Sequence, residues 1–297
     1  MKKVKIITDS CSDLSVELLE KYDIDYAKMN TVFEGKTSKA LLSWTKEEVH
    51  DFYNIMRGGK RITTTQVPVE EFMEIFTKYL KEDYDIVYIA CSSKQSGSVN
   101  TANVVAKKLK STYPDSKIIC IDSLNASLGE GMLAIKASDL ARLGLTAEEI
   151  AEVITNSRKT VNEYCTVHSL DALRRAGRVK GPAAFFGNLM GVKPIIIADY
   201  NGEQAAFKKV KGRQNSFKEI VALLKESIVF PEEQTIYLAH ADCSEEEVSA
   251  LKELIKKEIP AKDICTLYIG PIIGASIGPD AIGIWGYGKD VTYKAGE

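Results

Sequence analysis

Short, mostly apolar runs alternate with amphipathic segments through the first half of the chain. Residues 4–8, 84–91 and 117–121 are such runs, while Phe72, Phe76 and Leu80 recur at four-residue spacing, as on one face of a helix. Strands that are apolar throughout are buried on both faces, and strands of this kind joined by helices form parallel sheets. The sequence therefore predicts an α/β sandwich with a parallel sheet in the N-terminal part.

The strand pattern changes in the second half of the chain. Residues 164–167 and 193–198 are strand-like, and Asn201-Gly202 is a hairpin signal after which residues 204–210 return antiparallel; residues 235–240 and 264–269 are further strands. A chain of 297 residues can form two medium domains, each with its own core. We therefore expect two domains, at 1–160 and 161–297, the second an α/β domain with a mixed sheet.

Several residues mark where helices begin. Asp13 is expected to start the first helix, Gly129 and Gly131 to precede another, and Thr146 with Glu149 to form a capping box. A further helix is expected from Val99, because apolar residues on one helical face follow it.

Two hydroxyl-rich segments lie where loops are expected to lead into helices. They are residues 63–66 (Thr-Thr-Thr-Gln) and residues 92–98 (Ser-Ser-Lys-Gln-Ser-Gly-Ser). The first turn of a helix has unpaired N–H groups, and small hydroxyl side chains leave room for a ligand oxygen to reach them. The segments therefore indicate a site for an anionic or carboxyl group, and the alternative is that these residues only cap helices and form turns.

Common catalytic and nucleotide-binding motifs are missing from the sequence. The hydroxyl segments contain neither the Gly-Lys-Ser/Thr ending of a P-loop nor the glycine that precedes the serine of a nucleophile elbow. The first strand-to-helix turn, residues 8–13, has acidic residues in place of the glycines of a dinucleotide fold. With three histidines and no supporting spacing, a hydrolytic triad is not indicated.

Composition excludes further classes of function. The 39 basic and 41 acidic residues include no long basic run, so nucleic acid is not expected as a partner. No apolar run approaches the roughly 20 residues that span a bilayer, and we expect a cytoplasmic protein. Six cysteines without a C-x-x-C pair favour free thiols over disulfides or a zinc site.

An arginine-rich turn and an apolar segment follow each other in the second half. Arg178 comes after a glycine and can pair with an anion, whereas Arg174 and Arg175 fit a solvated helix end equally well. Residues 182–192 are apolar and rich in glycine, and they either wall an elongated cavity or form a core helix. Asp9 at the end of the first strand, with Ser96 and Arg178, leaves open an enzyme acting on a small carboxylate or phosphate ester.

The order of these and further motifs resembles the DegV family of bacterial fatty-acid-binding proteins. The resemblance covers nearly the whole chain. It is carried by residues 7–10 with 13–14, 63–68 with 71–72, 92–98, 169–173, 177–178, 193–194, 270–275 and 278–279.

This resemblance implies a two-domain α/β fold with a fatty acid in a buried apolar tunnel and its carboxylate at the domain interface. Thr64 and Ser96 would hydrogen-bond the carboxylate, with Thr65 and the amide of Gly97 close by and Arg178 in the surrounding polar network. The family commonly has histidine where this chain has Ser276, which can donate one hydrogen bond but cannot carry a charge.

The resemblance also implies a role without catalysis or cofactor. Some members of the family present their long-chain fatty acid to a separate fatty acid kinase subunit for phospholipid synthesis, which agrees with the missing P-loop. Lys209, Lys211 and Arg213 form a basic patch that either docks a kinase subunit or touches a membrane surface transiently, or consists of ordinary surface residues. A regulatory module without a ligand is the remaining alternative.

Overall fold

The computed structural model describes residues 2–181, 185 and 191–296. Its elements up to residue 160 are β1 (Val4–Asp9), α1 (Val16–Lys21), β2 (Ile24–Ala27), β3 (Asn30–Phe33), β4 (Lys36–Lys39), α2 (Lys46–Arg57), β5 (Thr63–Thr65), α3 (Val69–Lys81), β6 (Asp85–Ala90), α4 (Ser98–Leu109), β7 (Ile118–Asp122), α5 (Leu128–Arg142) and α6 (Ala147–Ser157). After it come β8 (Val161–Thr166), α7 (Asp171–Ala176), β9 (Val179–Lys180), β10 (Val192–Ala198), β11 (Gln204–Lys211), α8 (Arg213–Ser227), β12 (Thr235–His240), α9 (Glu245–Glu258), β13 (Asp263–Tyr268), α10 (Pro271–Ile277) and β14 (Ile282–Tyr287).

The first sheet is four-stranded and parallel, in the order β2-β1-β6-β7. Ile86 and Tyr88 of β6 pack with residues of α3 and α4, whereas Val87 and Ile89 pack with residues of α5 and α6 on the opposite face. Successive residues of a strand point to opposite faces, so every side chain of this strand is buried. The predicted parallel sheet with helices on both faces is confirmed.

The second large sheet is seven-stranded and mixed, in the order β13-β12-β14-β8-β10-β11-β9. β12 and β13 are parallel, whereas β14 runs antiparallel to both β12 and β8. The predicted hairpin joins β10 to β11, and Gly202 adopts a φ of +83° in its turn. The mixed sheet is therefore confirmed, with all its strands after residue 160.

The division into two domains at residue 160 stays a prediction. α5 belongs to the first half of the chain, yet it contacts β8, β12 and β14 of the second sheet. The two halves therefore pack closely along this helix.

A third, three-stranded antiparallel sheet, β4-β3-β5, was not expected from the sequence. The first hydroxyl segment forms β5 within it, so the expectation of a loop at Thr63–Thr65 is wrong. β4 is exposed along its whole length and β5 consists of threonines, and such strands lack the apolar alternation by which a strand is recognised.

The position of Asp13 differs from the sequence expectation. α1 begins at Val16, and the side chain of Ser15 caps it by accepting from the N–H of Leu18. Asp13 is buried with a φ of +53°, and its carboxyl accepts from the Ser127 hydroxyl at 2.5 Å and from the Gly270 N–H at 2.9 Å. It therefore joins three loops and caps no helix.

The start of α5 also differs from the sequence expectation. Gly129 and Gly131 lie inside α5 and do not precede it; a Cβ on Gly131 would come within 2.7 Å of the Ser12 carbonyl, so glycine lets the helix approach the loop after β1.

All six cysteines are free thiols, as expected. Among the described residues, no helix is long and apolar enough to cross a membrane.

Candidate functional site

A cavity lies between the two large sheets. It holds about 860 Å³ of empty space when its open mouth is included, of which about 130 Å³ is available to the centre of a water molecule. Much of its wall is apolar, formed by Cys11, Met29, Cys91, Ala126, Cys165, Leu173, Ile196, Ile269, Ile272, Ile273 and Ile277. Ligand sites in proteins have this composition, an apolar wall with a few polar groups.

The two hydroxyl segments meet at this cavity, and hydrogen bonds at their C-terminal ends hold the neighbouring residues together. The Val67 N–H donates to the Ser98 hydroxyl at 3.2 Å, and the Gln66 amide donates to the Thr101 hydroxyl at 2.7 Å. Thr64, half-buried at the centre of β5, therefore lies on the same cavity wall as Ser96, which precedes α4.

Ser96 and Gly97 form the entry into α4. The Ser96 hydroxyl accepts from the N–H of Ser98 at 3.2 Å and lies 2.9 Å from the hydroxyl of Ser98. Gly97 is the N-cap residue, and a Cβ there would lie 2.0 Å from Oε1 of Gln66. A larger residue would have to displace the end of the Gln66 side chain, and the absence of a side chain at Gly97 leaves the helix end open towards the cavity.

Arg178 reaches the cavity from the turn after α7. Gly177 ends that helix with a φ of +69°, and the Arg178 Nε donates to the carbonyl of Gln95 at 3.1 Å. A second guanidinium nitrogen donates to the carbonyl of Ala176, and the side chain is exposed. The arginine is thus fixed next to Ser96, and it is the single cationic residue among the described residues that line the cavity.

The structure brings all six predicted site residues to one cavity, whose lining includes Thr64, Thr65, Ser96, Gly97, Arg178 and Ser276. Ser276 is half-buried on α10, which packs against β5 and α7. Thr64, Arg178 and Ser276 also line a neighbouring polar recess together with Lys60, Arg61 and Arg175. The polar side of the cavity therefore opens towards a basic surface.

Asp9 does not share this site. It is fully buried, and its carboxyl accepts from the Tyr88 hydroxyl at 2.6 Å and from the N–H groups of Cys11 and Cys91 at 2.9 and 3.2 Å. Burial raises the pKa of Asp9. Its acceptors are used within the protein, so the expected convergence of Asp9 with Ser96 and Arg178 in an enzyme site is not found.

One group of residues has ligand atoms close enough for a metal ion among those described. The sulfur atoms of Cys11 and Cys91 and a carboxyl oxygen of Glu130 lie within 4.8 Å of one another. A hydrogen bond with Cys91 and burial raise the pKa of Cys11, and burial raises the pKa of Glu130. The raised pKa values favour the protonated forms of these groups, and a metal ion would have to displace those protons.

The expected basic patch is not a patch of three free surface residues. Arg213 is largely buried; its Nε lies 2.8 Å from the Glu247 carboxylate, and its guanidinium also donates to the carbonyl of Asp280. Lys209 places its ammonium group 5.2 Å from the centre of the Phe185 ring. Residues 182–184 and 186–190 of the apolar segment lie outside the described residues, so its expected role as a cavity wall or core helix is not addressed.

The cavity wall contains a buried polar group that the sequence patterns did not indicate. Glu163 of β8, Gln204 of β11 and Trp285 of β14 all line the cavity, and burial raises the pKa of Glu163 to about 7. The only hint in the sequence is that Glu163 directly precedes the strand-like residues 164–167, and the structure shows that it belongs to that strand. A carboxyl in such a strand needs partners on the neighbouring strands.

Comparisons with known proteins agree on one family. A sequence model described as an uncharacterised protein of the DegV family matches residues 3–289. A DegV domain-containing protein of Clostridium perfringens is 35% identical over 290 residues, covering 96% of this chain and 97% of the relative. A second relative, from Caldanaerobacter subterraneus, is 32% identical over 96% of this chain and 99% of its own length.

Solved structures show the same fold. A DegV lipid-binding protein of Thermotoga maritima superimposes with a TM-score of 0.84 at 29% identity, covering 98% of this chain and all of that protein. DegV of Bacillus subtilis, described as a fatty-acid-binding protein, superimposes with a TM-score of 0.82 at 27% identity, over 97% of this chain and all of its own.

Proposed function

The chain belongs to the DegV family, and from that premise we propose that it binds a long-chain fatty acid in the cavity between its sheets. The single observation that carries this proposal is the composition of the cavity, where hydroxyl groups and one arginine lie on one side and an apolar wall forms much of the rest. The Bacillus subtilis relative is described as a fatty-acid-binding protein, which supports the same ligand class.

The carboxylate is assigned to the hydroxyl groups of Thr64 and Ser96. Hydrogen bonds from neutral donors to a carboxylate are short and strong, because the acceptor is charged. Thr65 and the Gly97 amide lie beside them, and the exposed Arg178 contributes a positive charge that solvent partly screens. Ser276 supplies one further hydroxyl in this assignment.

The acyl chain is assigned to the apolar wall. Each methylene group removed from water contributes about 0.8 kcal/mol, so the chain outweighs the head group in the total affinity. Leu173, Ile196 and Ile277 are buried residues of this wall and come from α7, β10 and α10.

We further propose that the protein is a cytoplasmic, non-catalytic carrier that presents the carboxylate to a separate fatty acid kinase subunit. The polar side of the cavity opens beside Lys60, Arg61 and Arg175, which supports access from outside at the reacting end of the ligand. A transient contact with a membrane surface would serve loading of the cargo. Addition of a kinase subunit and ATP to the loaded protein is expected to form an acyl phosphate, and no product is expected from the loaded protein with ATP alone.

Denaturing extraction followed by mass spectrometry tests the ligand directly. We expect about one fatty acid per chain in the purified protein, or after incubation with mixed fatty acids. An extract that remains empty after this incubation contradicts the proposal.

The head-group assignment is tested with the double variant T64A/S96A. We expect its fatty acid affinity to fall by about 100-fold, because two hydrogen bonds to a charged group each contribute about 1.5 kcal/mol. Ser93→Ala is the matched control, since Ser93 is an exposed serine of the same loop that does not line the cavity. Equal affinities of the double variant and this control would show that the carboxylate binds elsewhere.

A further inference from the structure

Three polar side chains lie in one row across the seven-stranded sheet. Trp285 of β14 is the registered partner of Glu163 on β8, and Gln204 of β11 is the partner of Ala198 on β10. Because Ile196 pairs with Cys165, extension of that antiparallel register places Ala198 opposite Glu163. Laterally aligned residues point to the same face of a sheet, so the three side chains share the face that lines the cavity.

This row interrupts a wall that is otherwise suited to an alkyl chain. Two residues further along the same strands and on the same face, Cys165 and Ile196 line the cavity. A plain acyl chain gains nothing from a carboxyl and an amide, and polar groups without partners in a dry cavity destabilise the folded protein. The row therefore needs an explanation beyond the binding of an alkyl chain.

The hydrogen bonds inside the row are incomplete. The Gln204 amide nitrogen and the Trp285 ring nitrogen both donate to the same oxygen of Glu163, Oε2, each at 3.3 Å. The Gln204 Oε1 atom is buried and has no hydrogen-bond partner among the described residues, and Gln204 as a whole is 6% exposed. Reversing the amide would leave its nitrogen in that position, so one polar atom of Gln204 lacks a partner in either orientation.

The Glu163 carboxyl is present in both its protonated and its ionised form near neutral pH. Burial raises its pKa to about 7, so the neutral acid, which offers an O–H, and the carboxylate, which only accepts, are both populated. A partner that both donates and accepts can bond with either state and can also donate to Gln204 Oε1. An alcohol has this property, whereas a ketone only accepts and a methylene group does neither.

We propose that the fatty acid selected by this cavity carries a hydroxyl group on its acyl chain, which bonds with Glu163 and Gln204. The inference rests on the proposed function, because it describes the ligand of the same cavity. The hydroxyl donates to Gln204 Oε1 and accepts the O–H of the neutral Glu163 carboxyl. It thereby gives Gln204 Oε1 a partner that the described residues do not supply.

The test is a binding panel with the unmodified protein. Palmitic acid is compared with positional isomers of hydroxyhexadecanoic acid and with the matching keto acids, by calorimetry at pH 7. We expect one hydroxy isomer to bind at least 10-fold more tightly than palmitic acid, and its keto counterpart to bind less tightly than the alcohol. Palmitic acid binding more tightly than every hydroxy isomer would overturn the inference and leave the proposed function standing.

A panel in which no fatty acid of any kind binds would overturn both the inference and the proposed function, so the two failures are distinguishable.

The variant Gln204→Leu tests whether the row of Glu163, Gln204 and Trp285 causes the preference for a hydroxy acid. We expect its ratio of hydroxy acid to palmitic acid affinity to fall to about one. The exposed Gln214→Leu on α8 is the control and should keep the unmodified ratio. A Q204L variant that keeps the full preference would remove the row as its cause.

Discussion

Two groups of polar residues in the N-terminal half of the chain differ in whether their hydrogen-bonding capacity is used within the protein. Thr64 and Ser96 are half-buried hydroxyls on the wall of an open cavity. Asp9 and Asp13 are buried carboxyls whose oxygens accept from backbone and hydroxyl donors of the neighbouring loops. Polar residues in this region therefore serve either a ligand or the fold, and burial together with the number of hydrogen-bond partners separates the two roles.

The largest effect on stability is expected from a change to Asp9, one of the two buried carboxyls. Asp9→Ala leaves the Tyr88 hydroxyl and two backbone N–H groups without an acceptor in the core, so we expect the free energy of unfolding to fall by about 3 kcal/mol or more. Urea denaturation measures the change, with the exposed Asp51→Ala as control. If D9A were as stable as D51A while fatty acid binding was lost, the contrast between the two groups would be reversed.

The second largest effect is a pH dependence of the free energy of unfolding, caused by the buried acids Asp13 and Glu163. Burial raises the pKa of Asp13 from 3.8 to about 8 and that of Glu163 from 4.5 to about 7. The unfolded chain releases these protons near pH 4 and the folded chain keeps them, so the free energy of unfolding falls as the pH rises from about 4 to about 8. Each group contributes roughly 1.4 kcal/mol per pH unit within its own window.

Asp13→Asn sharpens this prediction. Asparagine also tolerates the positive φ of this position, and it does not titrate. We expect denaturation midpoints of D13N to change less between pH 5 and pH 8 than those of the unmodified protein. An equal or steeper change in the variant would show that Asp13 is ionised in the folded protein.

The smallest effect is expected at Ser276, on the wall of the ligand cavity. Ser276→His places a titratable ring at the polar side of the cavity, and we expect fatty acid affinity to rise about threefold at pH 6 and by less at pH 8, because only the protonated ring attracts the carboxylate. Ser276→Asn, which adds a polar group without a charge, is the control. Affinity ratios that are independent of pH would place Ser276 away from the carboxylate.

The parts of the fold that the sequence predicts are those with a repeated physical pattern. β6 is buried at every position and was recognised by its apolar run, whereas β4 is exposed at every position and gave no signal. Asp13 was expected at a helix start because aspartate caps helices, but Ser15 takes that role and tertiary contacts hold Asp13.

The candidate site was predicted for a different reason. Local patterns suggested a carboxyl site at the two hydroxyl segments and an anion partner at Arg178, whereas the expectation that Ser276 joins them came only from the family resemblance. The row formed by Glu163, Gln204 and Trp285 depends on the register of strands far apart in sequence, which no local pattern reveals. Convergence of distant residues is thus the step that sequence patterns alone leave open.

The contact between Gln66 and Gly97 makes the site sensitive to the size of residue 97. A single methyl group at position 97 would occupy the place of the Gln66 amide oxygen, and displacing that side chain breaks its bond to Thr101. The strand that carries Thr64 would then lose one of its ties to the helix that follows Ser96. Gly97→Ala therefore perturbs the contact between the two segments by volume alone, with every hydroxyl and charge of the protein retained.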